Sequence, residues 1–122
     1  MTTHPKILYV EDEALVAMTL VMALEEAGFA VEHVVNGRLA IMALQKRAED
    51  YTALLTDVRL PEVDGWLIAR RAREMRPDLP VVYVSGDSAA DWSANGVDGS
   101  IMLPKPVSNE RVIATIKALI DP

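Results

Sequence analysis

Short apolar runs alternate with longer stretches of mixed apolar and polar positions along the whole chain. Ile7-Leu8-Tyr9-Val10, Ala30 to Val35, Ala53-Leu54-Leu55-Thr56, Val81-Val82-Tyr83-Val84 and Ser100-Ile101-Met102-Leu103 are too short for helices. Their apolar, largely β-branched content reads as strands. Between them lie helical stretches. Ala14 to Ala27 is ended by Gly28, and Arg38 to Ala48 follows a break at Asn36-Gly37. Trp66 to Met75 follows a loop holding Pro61 and Gly65, and a short helix over Ala89 to Ala94 ends near Asn95-Gly96. The last runs from Asn109 to Ile120, with Ser108 as a suitable N-cap and Val112, Ile113, Ile116 and Ile120 on one face.

Five β-α units in succession predict an α/β fold. Strands joined by helical crossovers must run parallel, with helices on both faces of a doubly wound sheet. The 122 residues fit one domain, with room after the fifth strand for one helix and no output domain. Hydrophobic residues at 51% and charged residues at 25% exclude a disordered chain. The absence of cysteine excludes disulfides, thiolate metal sites and a Cys nucleophile. A net charge of −6 disfavours nucleic acid and anionic membrane as partners. The most apolar segment, Ala14 to Leu24, is far short of the ~20 residues a membrane helix needs. With no leader-like N-terminus, a soluble cytoplasmic protein is expected.

In a parallel open sheet, ligands sit beyond the carboxyl ends of the strands. Glu11, Asp12 and Glu13 follow the first strand, Asp57 the third, Ser85 the fourth, and Lys105 the fifth. Acids from the first and third strands, brought to one edge, would repel at neutral pH. A divalent cation relieves this, and oxygen-only ligands with an open shell suit Mg²⁺. A carboxylate nucleophile, a compact cation and a hydroxyl together fit phosphoryl transfer.

Val10-Glu11-Asp12-Glu13, then Leu55-Thr56-Asp57-Val58-Arg59-Leu60-Pro61 with Asp64-Gly65, then Val84-Ser85-Gly86, then Lys105-Pro106 resemble the receiver domain of two-component response regulators. The resemblance spans essentially the whole chain, residues 1–122. It implies a flavodoxin-like strand order of 2-1-3-4-5. It also implies that Asp57 accepts a phosphoryl group from a phosphohistidine on a sensor histidine kinase or histidine phosphotransfer protein. Mg²⁺ would be bound by Asp12, Asp57 and the Arg59 backbone carbonyl, with Glu11 acting mainly through water. Lys105 would pair with Asp57 and then with the phosphoryl group, Ser85 would swing toward it, and the Lys105-Pro106 bond would be cis. Such a protein promotes its own phosphorylation and dephosphorylation and is not a turnover enzyme on an external substrate. The message then leaves by contact with a downstream protein through the loop after the fourth strand and the short helix beyond it.

Three positions depart from the family pattern. Glu11 stands where Asp is commoner, Ser85 replaces a common Thr, and Met102 occupies the fifth-strand position of the usual aromatic switch. Pro80, Tyr83, Ser85-Gly86 and the missing fifth-strand aromatic look like an alphaproteobacterial subgroup of single-domain receivers, with kinases of the general stress response among its partners. The first helix carries Leu15, Val16, Met18, Leu20, Val21, Met22 and Leu24 nearly all round. A sheet covers one side only, so its outer face, with Val16 and Leu20, is expected to dock the kinase.

Other positions read as structural. His4 and His33 are not on a long amphipathic helix, and Arg70, Arg71, Arg73 and Arg76 read as a solvated helix face. A haloacid-dehalogenase-like phosphatase would want an acid where Arg59 stands. A flavodoxin-like cofactor binder would want a phosphate loop where Glu11-Asp12-Glu13 stand. A degenerate, binding-only receiver would lack some of the phosphorylation groups, and all are present.

Overall fold

The computed structural model describes residues 4–121. Five strands, β1 (Lys6–Val10), β2 (Ala30–Val34), β3 (Ala53–Asp57), β4 (Val81–Ser85) and β5 (Ile101–Pro104), form one parallel sheet in the order β2-β1-β3-β4-β5. Five α-helices connect or follow them: α1 (Ala14–Glu26), α2 (Gly37–Arg47), α3 (Gly65–Met75), α4 (Trp92–Asn95) and α5 (Asn109–Ile120). The doubly wound α/β architecture and strand order are those expected. The short fourth helix differs. A 3-10 turn over Ala89–Asp91 precedes a single α-helical turn, Trp92–Asn95. It stops at Gly96, where the backbone turns extended, and a Cβ there would run into the Trp92 ring at 2.3 Å.

Local chemistry sets the boundaries. The α1 helix ends in a Schellman motif: Gly28 takes φ 100°, its N–H donates to the Glu25 carbonyl, and the Phe29 N–H donates to Leu24. Phe29 and Leu24 are both buried on the same side of the sheet, which adds the usual apolar closure. The side chains of Asn36, Asp64 and Ser108 accept from the N–H of Leu39, Leu67 and Arg111 and cap α2, α3 and α5.

The sheet separates two apolar layers. Leu8, Val10, Leu54 and Tyr83 face α2 and α3, with Ala40, Leu44, Ile68 and Ala69. Ile7, Tyr9, Leu55 and Val82 face α1 and α5, with Ala17, Leu24, Val112 and Ile116. β3 and β4 are buried along their whole length, as strands covered on both faces must be. That buried centre delivers the ends of β1, β3 and β4 to one edge.

Candidate functional site

Asp57 is the last residue of β3, and Glu11 follows the last residue of β1. The Glu11 N–H donates to the Val34 carbonyl, which extends the β1–β2 ladder one residue beyond the strand. The sheet therefore carries both carboxylates into the interior of its edge: Glu11 is 2% exposed and Asp57 6%. Asp12 is exposed beside them. One carboxylate oxygen from each of Glu11, Asp12 and Asp57 lies within 4.8 Å of the others. Lys105 comes from the far side of the site, where β5 ends. Its N–H donates to the Ser85 carbonyl, its Nζ lies 3.3 Å from Asp57 Oδ1, and the Lys105-Pro106 peptide is cis. Ser85 ends β4, and its Oγ accepts from the Ser88 N–H at 3.1 Å. Asp12, Asp57, Arg59, Ser85 and Lys105 line a common cleft of about 220 Å³.

Gly65 lets the acceptor strand be approached this closely. Its N–H donates to the Val58 carbonyl at 2.8 Å, and a Cβ on it would lie 2.2 Å from the Asp57 carbonyl oxygen. Asp64-Gly65 thus caps α3 and packs its first turn against the backbone of the acidic residue.

Burial dominates the electrostatics. It pushes the Glu11 carboxyl up to about 8, aided by its hydrogen bond with Asp57 and opposed by the Glu13 N–H, which donates to Glu11 Oε2 at 3.1 Å. Burial also raises Asp57, against the Glu11 hydrogen bond and the Lys105 ammonium that favour its ionised form. Tyr9, packed beneath both acids, is held well above the usual phenol range by burial and then by their charge. Two buried carboxyls whose charged forms burial disfavours, beside a third, make a site that a hard cation would relieve. The donor set is all oxygen, as Mg²⁺ prefers. The residues present fit that ion.

The sequence profile of the response regulator receiver domain matches residues 7–117. This chain belongs to the response regulator receiver family. The receiver protein CpdR of Brucella abortus is 44% identical over 84 residues, covering 69% of this receiver and 68% of CpdR. The transcriptional regulatory protein TcrA of Mycobacterium tuberculosis is 35% identical over 116 residues. Those cover 93% of this receiver but only 45% of TcrA, so the chain spans under half of that relative. A crystal structure of a response regulator receiver protein from Sinorhizobium medicae is 38% identical with a TM-score of 0.92, over 97% of this receiver and 95% of that chain. Receivers are phosphoryl acceptors of two-component signalling that meet histidine kinases or phosphotransfer proteins, and they are not turnover enzymes on external substrates.

The geometry of this receiver brings Glu11, Asp12, Asp57, Ser85 and Lys105 to one edge, with Arg59 lining the same cleft. Met102 stands on β5 in register with Tyr83 and is half-buried against the α2–α3 layer. On α1, Val16 is 47% exposed and flanked by Leu15, Met18 and Met22 at 81%, 56% and 56%. The expectation for Leu20 is corrected. It is 7% exposed and packs on the sheet with Ala17 and Leu24, the positions one helical turn to either side. It reaches the surface only where it lines a groove between α1 and α5.

The solvated-face reading of the α3 arginines is also corrected in part. Arg73 donates to the Leu79 carbonyl, and Arg76 to the carbonyls of Ala48 and Tyr51. Both clamp backbone that no sequence pattern marks.

Three contacts beside the site have no signature in the sequence pattern. The His33 Nε2–H donates to the Glu11 carbonyl at 2.9 Å, and its ring lies 5.6 Å from that of Tyr9. Tyr83 is fully buried, meets the Trp66 ring edge-on at 4.7 Å, and accepts from the Val97 N–H. Asp87 pairs with Arg59 at 3.2 Å. The order 2-1-3-4-5 puts β2 beside β1, and their parallel register then pairs His33 with Tyr9. The other two depend on loop conformation, which periodicity does not encode.

No helix among the described residues is long and apolar enough to cross a membrane.

Proposed function

We propose that Asp57 is the phospho-acceptor of this receiver and that Lys105, Ser85 and the acids around it serve its phosphorylation. An Asp57 carboxylate oxygen attacks the phosphorus of a phosphohistidine. The P–N bond breaks, and the imidazole of the donor leaves and takes up a proton. Lys105, already 3.3 Å from Asp57, follows the negative charge onto the transferred group and neutralises part of it. The Ser85 hydroxyl, now engaged with the Ser88 N–H, turns to donate to a phosphoryl oxygen. Mg²⁺ would be held by Asp12, Asp57 and the Arg59 carbonyl, with Glu11 mainly through water. When bound, it supplies charge neutralisation for phosphoryl oxygens. Hydrolysis reverses the switch: water attacks phosphorus and the Asp57 carboxylate leaves.

The observation that carries this reading is a buried carboxylate at a strand end with two acids on one side, an ammonium on the other and a serine in the same cleft. The loop following Ser85 and the 3-10 turn into α4 are the element that moves, because Ser88 is released when Ser85 turns away. A downstream protein reads that movement. The sensor kinase or phosphotransfer protein docks on α1 through Leu15, Val16, Met18 and Met22. Incubation with Mg²⁺ and acetyl phosphate, followed by intact mass, tests the acceptor. A single labile phosphate is expected in the native chain and none in Asp57→Asn. An undiminished gain in Asp57→Asn would overturn the assignment.

A further inference from the structure

Arg59 stands two residues past Asp57 on the loop leading to α3, and Asp87 stands two residues past Ser85 on the loop leading to α4. Arg59 Nη1 and Asp87 Oδ2 meet at 3.2 Å. Both side chains belong to the lining of the cleft above Asp57, which also holds Asp12, Glu13 and Lys105. We infer that this ion pair is a strap across the mouth of the acceptor cleft, and that phosphorylation of Asp57 moves Arg59 from Asp87 onto the phosphoryl group. The inference rests on Asp57 being the acceptor and assigns a role to two side chains that the acceptor reading leaves idle.

Charge and shape favour the exchange. The cleft lining carries four acids, Asp12, Glu13, Asp57 and Asp87, against two cations, Arg59 and Lys105. Lys105 is engaged by Asp57. Arg59 is therefore the cation of that lining whose present partner is not the acceptor. The side chains of Arg59 and Asp87 are 76% and 64% exposed, so water screens their pairing and the hold is weak. A phosphoryl group offers nearly twice the charge of the Asp87 carboxylate and three oxygens for the planar guanidinium fork. Gly86, the residue between Ser85 and Asp87, has open space where a Cβ would be. The segment that lets go of Arg59 thus has room to move. At rest Asp87 holds Arg59 aside. After transfer Arg59 lies over the phosphoryl group, shields it from attacking water and leaves the α4 loop without its strap.

Asp87 is then a positioning residue that acts through Arg59. The test is a double-substitution cycle read with acetyl phosphate and Mg²⁺ for the rate of phosphate gain, and after donor removal for its loss. Asp87→Asn should raise the gain rate and lengthen the lifetime, each by roughly twofold to fivefold, because it frees the guanidinium from a weak exposed pair. Arg59→Gln should shorten the lifetime, and Arg59→Lys should restore only part of it, since an ammonium lacks the fork. In the Arg59→Gln background, Asp87→Asn should lose most of its effect. An equal effect of Asp87→Asn in both backgrounds would show that Asp87 acts by its own charge and would overturn the strap. So would an unchanged lifetime in Arg59→Gln. A native chain that takes no phosphate would instead sink the acceptor reading, which separates the two failures. Both side chains are exposed, so unfolding temperatures of the variants should match the native chain, and the kinetics then report on the cleft.

Discussion

Glu11 shows how a single position can set a pH dependence. Its carboxyl is pushed up to about 8 in the folded protein, so the fold keeps a proton that the unfolded chain releases near 4.5. The stability this contributes is whole below the unfolded value and is lost as pH rises through the folded one. Without metal, the native chain should lose stability relative to Glu11→Gln between about pH 5 and pH 8, by on the order of 1–3 kcal/mol. Urea unfolding of both proteins across that range checks it, and a constant difference would contradict it. Mg²⁺ should restore the native chain most at the alkaline end, where ionised carboxylates can pair with it. Gly65 is the second decisive residue. Gly65→Ala puts a methyl 2.2 Å from the Asp57 carbonyl oxygen, where the obstacle is backbone and cannot rotate away. A loss of about 1–3 kcal/mol is expected, with slower phosphate uptake because the acceptor strand must shift. The midpoint of urea unfolding and the acetyl phosphate rate measure the two effects. The acidic run, Asp57, Ser85 and Lys105 were legible as chemistry from residue type and place alone. His33 and Asp87 were not, because their partners are remote in sequence.

At the scale of elements, α1 divides into two faces with opposite consequences. Ala17, Leu20 and Leu24 fasten it to the sheet, while Leu15, Val16, Met18 and Met22 stay at the surface. Leu15→Glu with Val16→Glu should slow phosphotransfer from the cognate histidine kinase at least tenfold while leaving acetyl phosphate uptake unchanged, since about 1.4 kcal/mol at an interface is a factor of ten. Leu20→Glu should unfold the protein instead, as a charge buried without a partner must. Equal slowing with both donors for the surface pair would remove α1 from the docking surface. The mean apolarity of α1 was visible in the sequence, but the division was not, because nearly every position is apolar and the pattern points nowhere. The boundaries of α2, α3 and α5 were visible, since Asn36, Asp64 and Ser108 cap them by local hydrogen bonds. The α4 segment has a helical sequence pattern, but which kind of helix forms there is set by its contacts: a 3-10 turn leads into one α-helical turn. Its single turn is held from outside, where Trp92 Nε1 donates to Ser100 Oγ and the Val97 N–H donates to Tyr83.

The whole molecule adds clamps that join distant segments. Arg76 at the end of α3 donates to the carbonyls of Ala48 and Tyr51, which lie ahead of β3. Glu32 on β2 gathers Arg47 at 2.6 Å, the Tyr51 hydroxyl at 2.8 Å and Lys6 at 3.6 Å. Arg47 and Tyr51 keep the Glu32 carboxyl below its usual range. Arg76→Ala strands two backbone acceptors and should cost about 1–3 kcal/mol in urea unfolding without altering the phosphate uptake rate, because the clamp lies at the opposite end of β3 from Asp57. What the amino-acid order determined by itself was local or periodic: the alternation of strand and helix, the caps, the parallel sheet that crossovers require, and the residue types standing after each strand. Tertiary structure alone decided which carboxylates are buried together, which apolar positions of α1 face outward, and that Arg59 meets Asp87. Those depend on packing between segments far apart in the chain, where tenths of an ångström and the exclusion of water set the energy, and no spacing along the sequence records either.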